Sequence, residues 1–587
     1  MTFPRSSEYS RTVASTDSRA DLKTDFSQTP VSSAAVRLGP VESVVPSGSR
    51  LSWKGTWLSL RVHLDALRFD PPGYLQTVAW RIRGLRLRSR NRFAALAGRS
   101  PQAYRLWVVK HEPAIRLAYG SEETVAALPV LVAIDCTRGS EGIEDTLRSL
   151  EGLNPVIVGS APASGVRQVA APAELASLMS ADEGWLRILA PGDRLAEGAL
   201  NVYGKAVLRA PGASLIYADD DLVGADGRRT SPHFKPAWNP ELFERHDFIS
   251  GAAVLKVRRE ELGRARAPTW SQDLVRLAIA AGEPVHLPLV LHHRKSRPLP
   301  APRLTTAPSQ APDPLPSISL IIPTRNQRQL LQTCIEGVQR TNYPGLNIVV
   351  VDNDSDEPDA TAYLDSLKTA GIKVLRMPGP FNFSSLNNRA VQEVESELLC
   401  FLNNDVETID ADWLQPLVTH AVRPDIGAVG AKLLYPDRTI QHAGVVTGIG
   451  GGAGHAHRFQ AEGAVGYFHR ADLPQRVAAV TAACLVVDRE KFLAVGGFDE
   501  ALFPVAFNDV DLCLKLNERG WQSFYEPRSK LIHHESKSRG SDRATINRER
   551  FAGELAALKR KWRTDVECDP YHHPHLSPFC EQFYVAI

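Results

Sequence analysis

One order of strand-like runs occurs twice in the sequence. GWLRILAPGDRL, SLIYADDDL and FISGAAVLKVRREEL follow one another between residues 184 and 262, and ELLCFLNNDVET, IGAVGAKLL and VTAACLVVDREKF repeat that order between 397 and 492. An internal duplication of an α/β unit constrains the fold more than any other feature, because each copy must bury a sheet of its own. With 587 residues the chain is too long for a single core, and its length suggests three or four domain-sized units.

The second copy is the more complete. SISLIIPT reads as a buried strand and QRQLLQTCIEGVQRT as a helix; LNIVVVDNDSDE is a Val-rich strand running into acids. A helix near 358–370, the strand IKVLRM, the helix FSSLNNRAVQEV and the strand ELLCFLN complete a βαβαβαβ run. Such alternation predicts a mainly parallel, Rossmann-like sheet with helices on both faces and ligands at the carboxyl ends of its strands.

Around the two copies the expected organisation is a disordered segment over 1–50, a basic aromatic helical region over 51–127, the first copy over 128–300, a Pro-rich semi-rigid linker over 301–317, and the second copy with a helical extension over 318–587. Lys and Arg number 68 against 66 Asp and Glu, so no whole-chain charge argument points to nucleic acid, and no groove-reading motif accompanies the local arginines. Those arginines (81, 83, 86, 88, 90 and 92) are interleaved with Trp80, Ile82, Leu85, Leu87 and Phe93. Residues 80–93 therefore suit either an anionic membrane surface or a solvated helix packed on the next domain. Seven cysteines without CxxC spacing argue against a disulfide framework and a zinc knuckle. No apolar run is long enough to cross a bilayer, so the expected location is cytoplasmic, with peripheral association at the inner membrane as the membrane reading.

Chemistry concentrates where strands end. FLNND stops an apolar strand at Asn403, Asn404 and Asp405, and IVVVDN stops its neighbour at Asp352 and Asn353. A lone Asp after a strand is usually a turn or cap residue. Two of them in successive strands of one sheet face one crevice.

PTRN at 323–326, VVVDNDSDE at 349–357, FNFSSLNNRAV at 381–391, FLNNDVE at 401–407, GGFDE at 496–500, NDVDLCLKL at 508–516 and HHESKSRG at 533–540 resemble, in order, the motifs of the inverting family 2 glycosyltransferases of GT-A fold, of the bacterial O-antigen and rhamnosyltransferase-like type. The resemblance covers about residues 318–580, with a weaker copy over about 128–260. It implies two tandem GT-A-like domains, the second complete and the first degenerate.

That resemblance implies roles, each weighed against a bland one. A diphosphate leaving group needs a hard cation, Mn²⁺ or Mg²⁺, on oxygen ligands, and Asp405 is the candidate although the family's Asp-x-Asp is here Asn403-Asn404-Asp405. One of His533 and His534 is the implied second ligand, with His534 preferred. Asp352 resembles the carboxylate that accepts a pyrimidine N3–H, which favours UDP or dTDP donors. Pro323, Thr324, Arg325, Asn353 and Asn404 lie where donor contacts would fall, and Asn387, Asn388 and Arg389 open a helix facing the same crevice. Asp509 matches the catalytic base of an inverting displacement. Asn508 stands where relatives carry Glu, Asp499 falls on the acceptor side, and Asp511 reads as structural because positions i and i+2 of a helix do not share a face.

The expected partners are thus a nucleotide-sugar donor and a glycan or lipid-linked acceptor. The rival reading is a non-catalytic carbohydrate-binding scaffold. GIGGGAG at 448–454 imitates a dinucleotide fingerprint but lacks a following helix. His442, His455, His457 and His469 fit no metal spacing and are expected on a long loop lining the acceptor side. In the first copy only Asp193 matches Asp405, Asp219, Asp220 and Asp221 read as a strand-end feature, and the unit is expected to be catalytically silent.

Overall fold

A computed structural model of the chain describes residues 52–120, 129–297, 311–535 and 545–587. The segment expected to be disordered, 1–50, and residues 301–310 of the expected linker lie outside them, as do 536–540 of the HHESKSRG motif.

The duplication extends to strand order. In the first sheet the order is Arg167–Val169, Val156–Gly159, Val130–Cys136, Glu183–Leu189, Ala253–Arg258, Leu215–Val223, Val285–Arg294, Arg194–Leu195. In the second it is Lys373–Arg376, Leu346–Asp352, Ile318–Thr324, Leu398–Leu402, Cys484–Asp488, Ile426–Leu434, Gln522–His533, Val406–Thr408. Pairing directions also match position by position. Both sheets are mixed rather than mainly parallel. The excursion from Tyr435 to Ala483 contains no crossover helix, so the chain re-enters as Cys484–Asp488 antiparallel to both neighbours.

Strands of the second sheet are buried on both faces, which is why they read as continuous apolar runs: every residue of Ile318–Thr324, Leu398–Leu402 and Ile426–Leu434 is buried. Phe401, Phe492 and Phe498 pack ring to ring on one face, and Trp413 and Leu417 fill the other. Asp219, Asp220 and Asp221 do not end a strand. They lie inside Leu215–Val223, fully buried, and survive there by pairing with His286, Lys235 and Arg229 respectively.

The amino-terminal region forms helices Trp53–Phe69, Pro71–Ile82, Arg86–Ala97, Ala103–Lys110 and Glu112–Gly120. They close on Leu58, Val62, Ala97 and Leu106, and attach to the first sheet through Tyr104 Oη, 2.6 Å from Asp221, and Glu112, 2.7 Å from Arg229. The two lobes meet at polar contacts: Arg423 and Arg476 converge on Glu241 at 2.6 and 2.9 Å, and His573 of the carboxyl-terminal tail reaches Asp219 at 2.8 Å.

Candidate active site

The carboxyl edge of the second sheet gathers the strand-end residues. Thr324 and Asp352 are register partners closing adjacent strands, and Asn404 donates its side-chain amide to Thr324 Oγ1 at 3.0 Å. Asp352, Asn404 and Asp405 are all nearly inaccessible to solvent. Asp352 accepts the Ser355 N–H at 2.9 Å, which holds its carboxylate at the turn. Asn326, the last residue of PTRN, bonds Asp356 and Glu357 and so stitches the two strand-end loops together.

Asp405 meets a histidine, and it is His533 rather than the preferred His534. His533 Nε2 lies 3.1 Å from Asp405 Oδ1, whereas His534 turns to Glu407 at 3.1 Å and only its backbone N–H reaches the Asp405 carbonyl. The reason is the pleat: successive residues of Gln522–His533 and its continuation face opposite sides, and Val406 is paired with His533.

The tautomer follows from the network. Gln441 donates its Nε2 to Glu535 at 3.1 Å, which turns its Oε1 to His533 Nδ1 at 2.7 Å, so the ring proton sits on Nδ1. Asn403 donates to Nε2 at 3.3 Å. In the neutral ring the Nε2 lone pair, which also takes the Asn403 amide, faces the Asp405 carboxylate as a second acceptor. A shared divalent cation would relieve that opposition, and one imidazole plus one carboxylate with an oriented outer shell suits Mn²⁺ or Mg²⁺. The residues fit such an ion.

Asp509 is the second residue of the helix Asn508–Glu518 and points back to the sheet. Its Oδ2 accepts the Ala482 N–H at 3.1 Å, and the Ala483 carbonyl accepts the Asn403 N–H at 3.1 Å, so one short stretch ties Asp509 to the Asp405 loop. Burial pushes its carboxyl above the usual range, and the hydrogen bonds from Ala482 and Thr481 only partly offset this. Phe507 just before it has φ of 60°, a left-handed backbone unusual for a bulky residue.

The other expected residues divide into framework and surface. Asn353 donates to the Met377 and Gly379 carbonyls, Asn387 to its own helix at Phe383, and Asn388 to Phe498 and Glu500. Pro323 is buried in its strand, while Arg325 and Arg389 are exposed. Asn508 donates its side-chain amide to the Val505 carbonyl. Asp511 is fully buried against Lys561 and Trp562, and Asp499 holds the Ala501 and Leu502 N–H groups.

Sequence reasoning missed Gln441, Glu535 and Glu554. Glu554 accepts the Val505 and Ala506 N–H groups and so sets the loop that delivers Asp509, but helix periodicity alone gives it no mark. The expected acceptor-side histidine loop is also corrected. His442 and His457 are wholly buried, His442 against His455 at 2.9 Å and His457 stacked on Phe583, and burial holds all three well below the usual imidazole range. GIGGGAG makes the turn of the hairpin Val445–Thr447 with Ala453–His455, not a phosphate loop.

The glycosyl transferase family 2 model matches residues 319–448. The uncharacterized protein y4gI of Sinorhizobium fredii is 36% identical over 439 residues, 67% of this chain and 48% of its own length. The O-antigen biosynthesis protein RfbC of Myxococcus xanthus is 34% identical over 428 residues, 66% of this chain and 33% of that protein. An N-acetylglucosaminyl-diphospho-decaprenol L-rhamnosyltransferase of Mycobacterium tuberculosis is 42% identical over 69 residues, 12% of this chain and 22% of that one. The chain thus spans half or less of the length of the relatives it matches.

Proposed function

We propose, from the premise that residues 319–448 form a glycosyl transferase family 2 domain, that the chain moves a sugar from a nucleotide-sugar donor, UDP- or dTDP-linked, to a surface-polysaccharide or lipid-linked acceptor with inversion at the anomeric carbon. The observation that carries this reading is the convergence of Asp352, Asp405 with His533, and Asp509 on one sheet edge.

In it, Asp352 orients the pyrimidine and Asn404 with Thr324 shapes the floor under the diphosphate. Asp405 and His533 would hold Mn²⁺ or Mg²⁺, which supplies charge neutralisation on the departing diphosphate. Asp509, backed by the Ala482 N–H, takes the proton of the incoming hydroxyl as that oxygen closes on the anomeric carbon. Its raised affinity for a proton makes it a better base than an exposed aspartate. The first lobe places Ser271 at the second position of the helix Trp270–Ala281, where Asp509 stands in the second, which supports a non-transferring role for that lobe.

The amino-terminal helices support docking on an anionic bilayer. Helix Trp53–Phe69 buries the stripe Leu58, Val62, Ala66 yet leaves a second stripe, Trp53 (86% exposed), Trp57, Leu60 and Leu64, facing outward. Leu75, Val78 and Ile82 continue it on the next helix, and ten Arg or Lys against two Asp lie between Trp53 and Arg99. The contact face is therefore wider than residues 80–93. No helix among the described residues is long and apolar enough to cross a membrane.

Donor turnover measured with UDP-, dTDP- and GDP-sugars, with and without Mn²⁺, tests the catalytic reading; metal-dependent turnover that Asp509→Asn removes is expected. Co-sedimentation with vesicles of phosphatidylcholine alone or mixed with phosphatidylglycerol tests the docking face. Binding should need the anionic lipid, fall with salt, and weaken in Trp53→Ala/Trp57→Ala.

A further inference from the structure

The first lobe has a cavity of about 1180 Å³ at the carboxyl edge of its sheet, the place that holds the candidate active site in the second. Asp193, like Asp405, directly precedes the short edge strand, and His292, like His533, is the first of two adjacent histidines at the end of the facing strand, although it pairs with Leu195, the second residue of its edge strand, where His533 pairs with Val406, the first. His292 Nε2 lies 3.0 Å from Asp193 Oδ2, matching the 3.1 Å of the second lobe. Thr137 and Arg138 follow the first strand of this lobe, as Thr324 closes and Arg325 follows the first strand of the second.

The chemistry around the pair differs. In the second lobe an amide oxygen faces the far ring nitrogen; in the first it is the guanidinium of Arg187, buried to 1% exposure in the middle of a central strand. A guanidinium only donates, so His292 Nδ1 accepts and Nε2 carries the proton that Asp193 receives. This histidine has no lone pair left for a metal. Arg294 Nε lies 3.9 Å from the same carboxylate. Arg187 and Arg294 thus flank the first-lobe pair with two fixed positive charges, one at the histidine and one at the carboxylate.

Those charges are incompletely used. Arg187, Arg294, Ser250 and His233 line the cavity, and Arg187 Nε, Arg294 Nε, Ser250 Oγ and His233 Nδ1 are buried without a hydrogen-bond partner. The backbone makes way for the cations: Gly251, at φ of 87°, lies under the Arg294 guanidinium, where a Cβ would come within 3.1 Å, and a Cβ at Gly192 would meet the Lys295 side chain at 2.5 Å. Ser160 follows the strand Val156–Gly159 where Asp352 closes its counterpart, so the carboxylate of that position is missing, and the acids that line the cavity, Asp135, Glu141 and Asp247 among them, stand elsewhere.

We propose that this cavity is a second ligand site that takes a diphosphate group without a metal, read by guanidinium charge at Arg187 and Arg294 and not by a nucleobase. The diphosphate comes either from a nucleotide or from a prenyl carrier, and the site holds it without transfer, since Ser271 replaces the base. This goes beyond the transferase reading; the binding does not depend on it, and only the absence of transfer rests on it.

The test is calorimetric titration of the full chain carrying Asp405→Asn, which silences the second-lobe site, in EDTA, with inorganic pyrophosphate, UDP and geranyl diphosphate. Pyrophosphate should bind, and adding Arg294→Ala should weaken it by about tenfold or more. Arg138→Ala, at an exposed position, gives a second variant should Arg294→Ala fail to fold. Geranyl diphosphate tighter than UDP identifies a prenyl carrier; UDP equal to pyrophosphate and tighter than geranyl diphosphate identifies a nucleotide, and UDP much tighter than pyrophosphate would show that a base is read and contradict the proposal. No pyrophosphate binding in EDTA, or binding that neither substitution changes, overturns the proposal whatever the transferase assay gives.

Discussion

The two lobes fold one strand order twice and set an aspartate against a histidine at the same edge of each sheet, yet the pairs are chemically opposite. Asp405 faces a histidine whose far nitrogen donates to Gln441, which leaves a lone pair on the near nitrogen of the neutral ring; Asp193 faces one whose far nitrogen accepts from Arg187, so its near nitrogen is a donor. A single outer residue inverts what the inner pair can hold. At Asp193 desolvation also pushes the carboxyl up to about 6 despite its two arginines.

The comparison breaks most visibly at the base. Asp509→Asn is expected to lower transfer by about 10²–10⁴-fold while Ser271→Ala leaves it unchanged, measured as steady-state turnover. Next in size is the outer residue: Gln441→Leu should cost about 10- to 100-fold in Mn²⁺ affinity, read by titration, because nothing then fixes the proton on His533 Nδ1. His533→Ala should hurt metal-dependent turnover far more than His534→Ala, whose ring contacts Glu407 instead.

The smallest effect is on stability. Burial raises the Asp509 carboxyl, so the folded state binds that proton more tightly than the unfolded state does. The parent therefore loses stability as pH rises through the raised value, and holds it below the ordinary carboxylate range. Asp509→Asn should melt no lower than the parent at pH 7, with its advantage shrinking as the pH falls, by thermal denaturation at several pH values.

Much of this architecture is legible in the sequence because strands buried on both faces read as unbroken apolar runs and end abruptly in polar residues, as at Thr324, Asp352 and Asn403. What escapes depends on phase or on distance along the chain. The choice between His533 and His534 is one pleat step, which composition cannot fix. Gln441 comes from a strand 92 positions away from His533. The Asp193–His292 pair is hidden because Pro191 and Gly192 replace the amides of FLNND, and Arg187 interrupts what should be an apolar strand. That arginine is the local inconsistency that marks the first lobe as serving something other than its core.

Titration of Mn²⁺ into the full chain, followed by the resonance signal of the free ion, bears most directly on the claim that one sheet edge is built for a metal and the other is not. The account predicts one saturable site that His533→Ala removes and His292→Ala leaves intact. Loss of that site in His292→Ala, or its survival in His533→Ala, would contradict it.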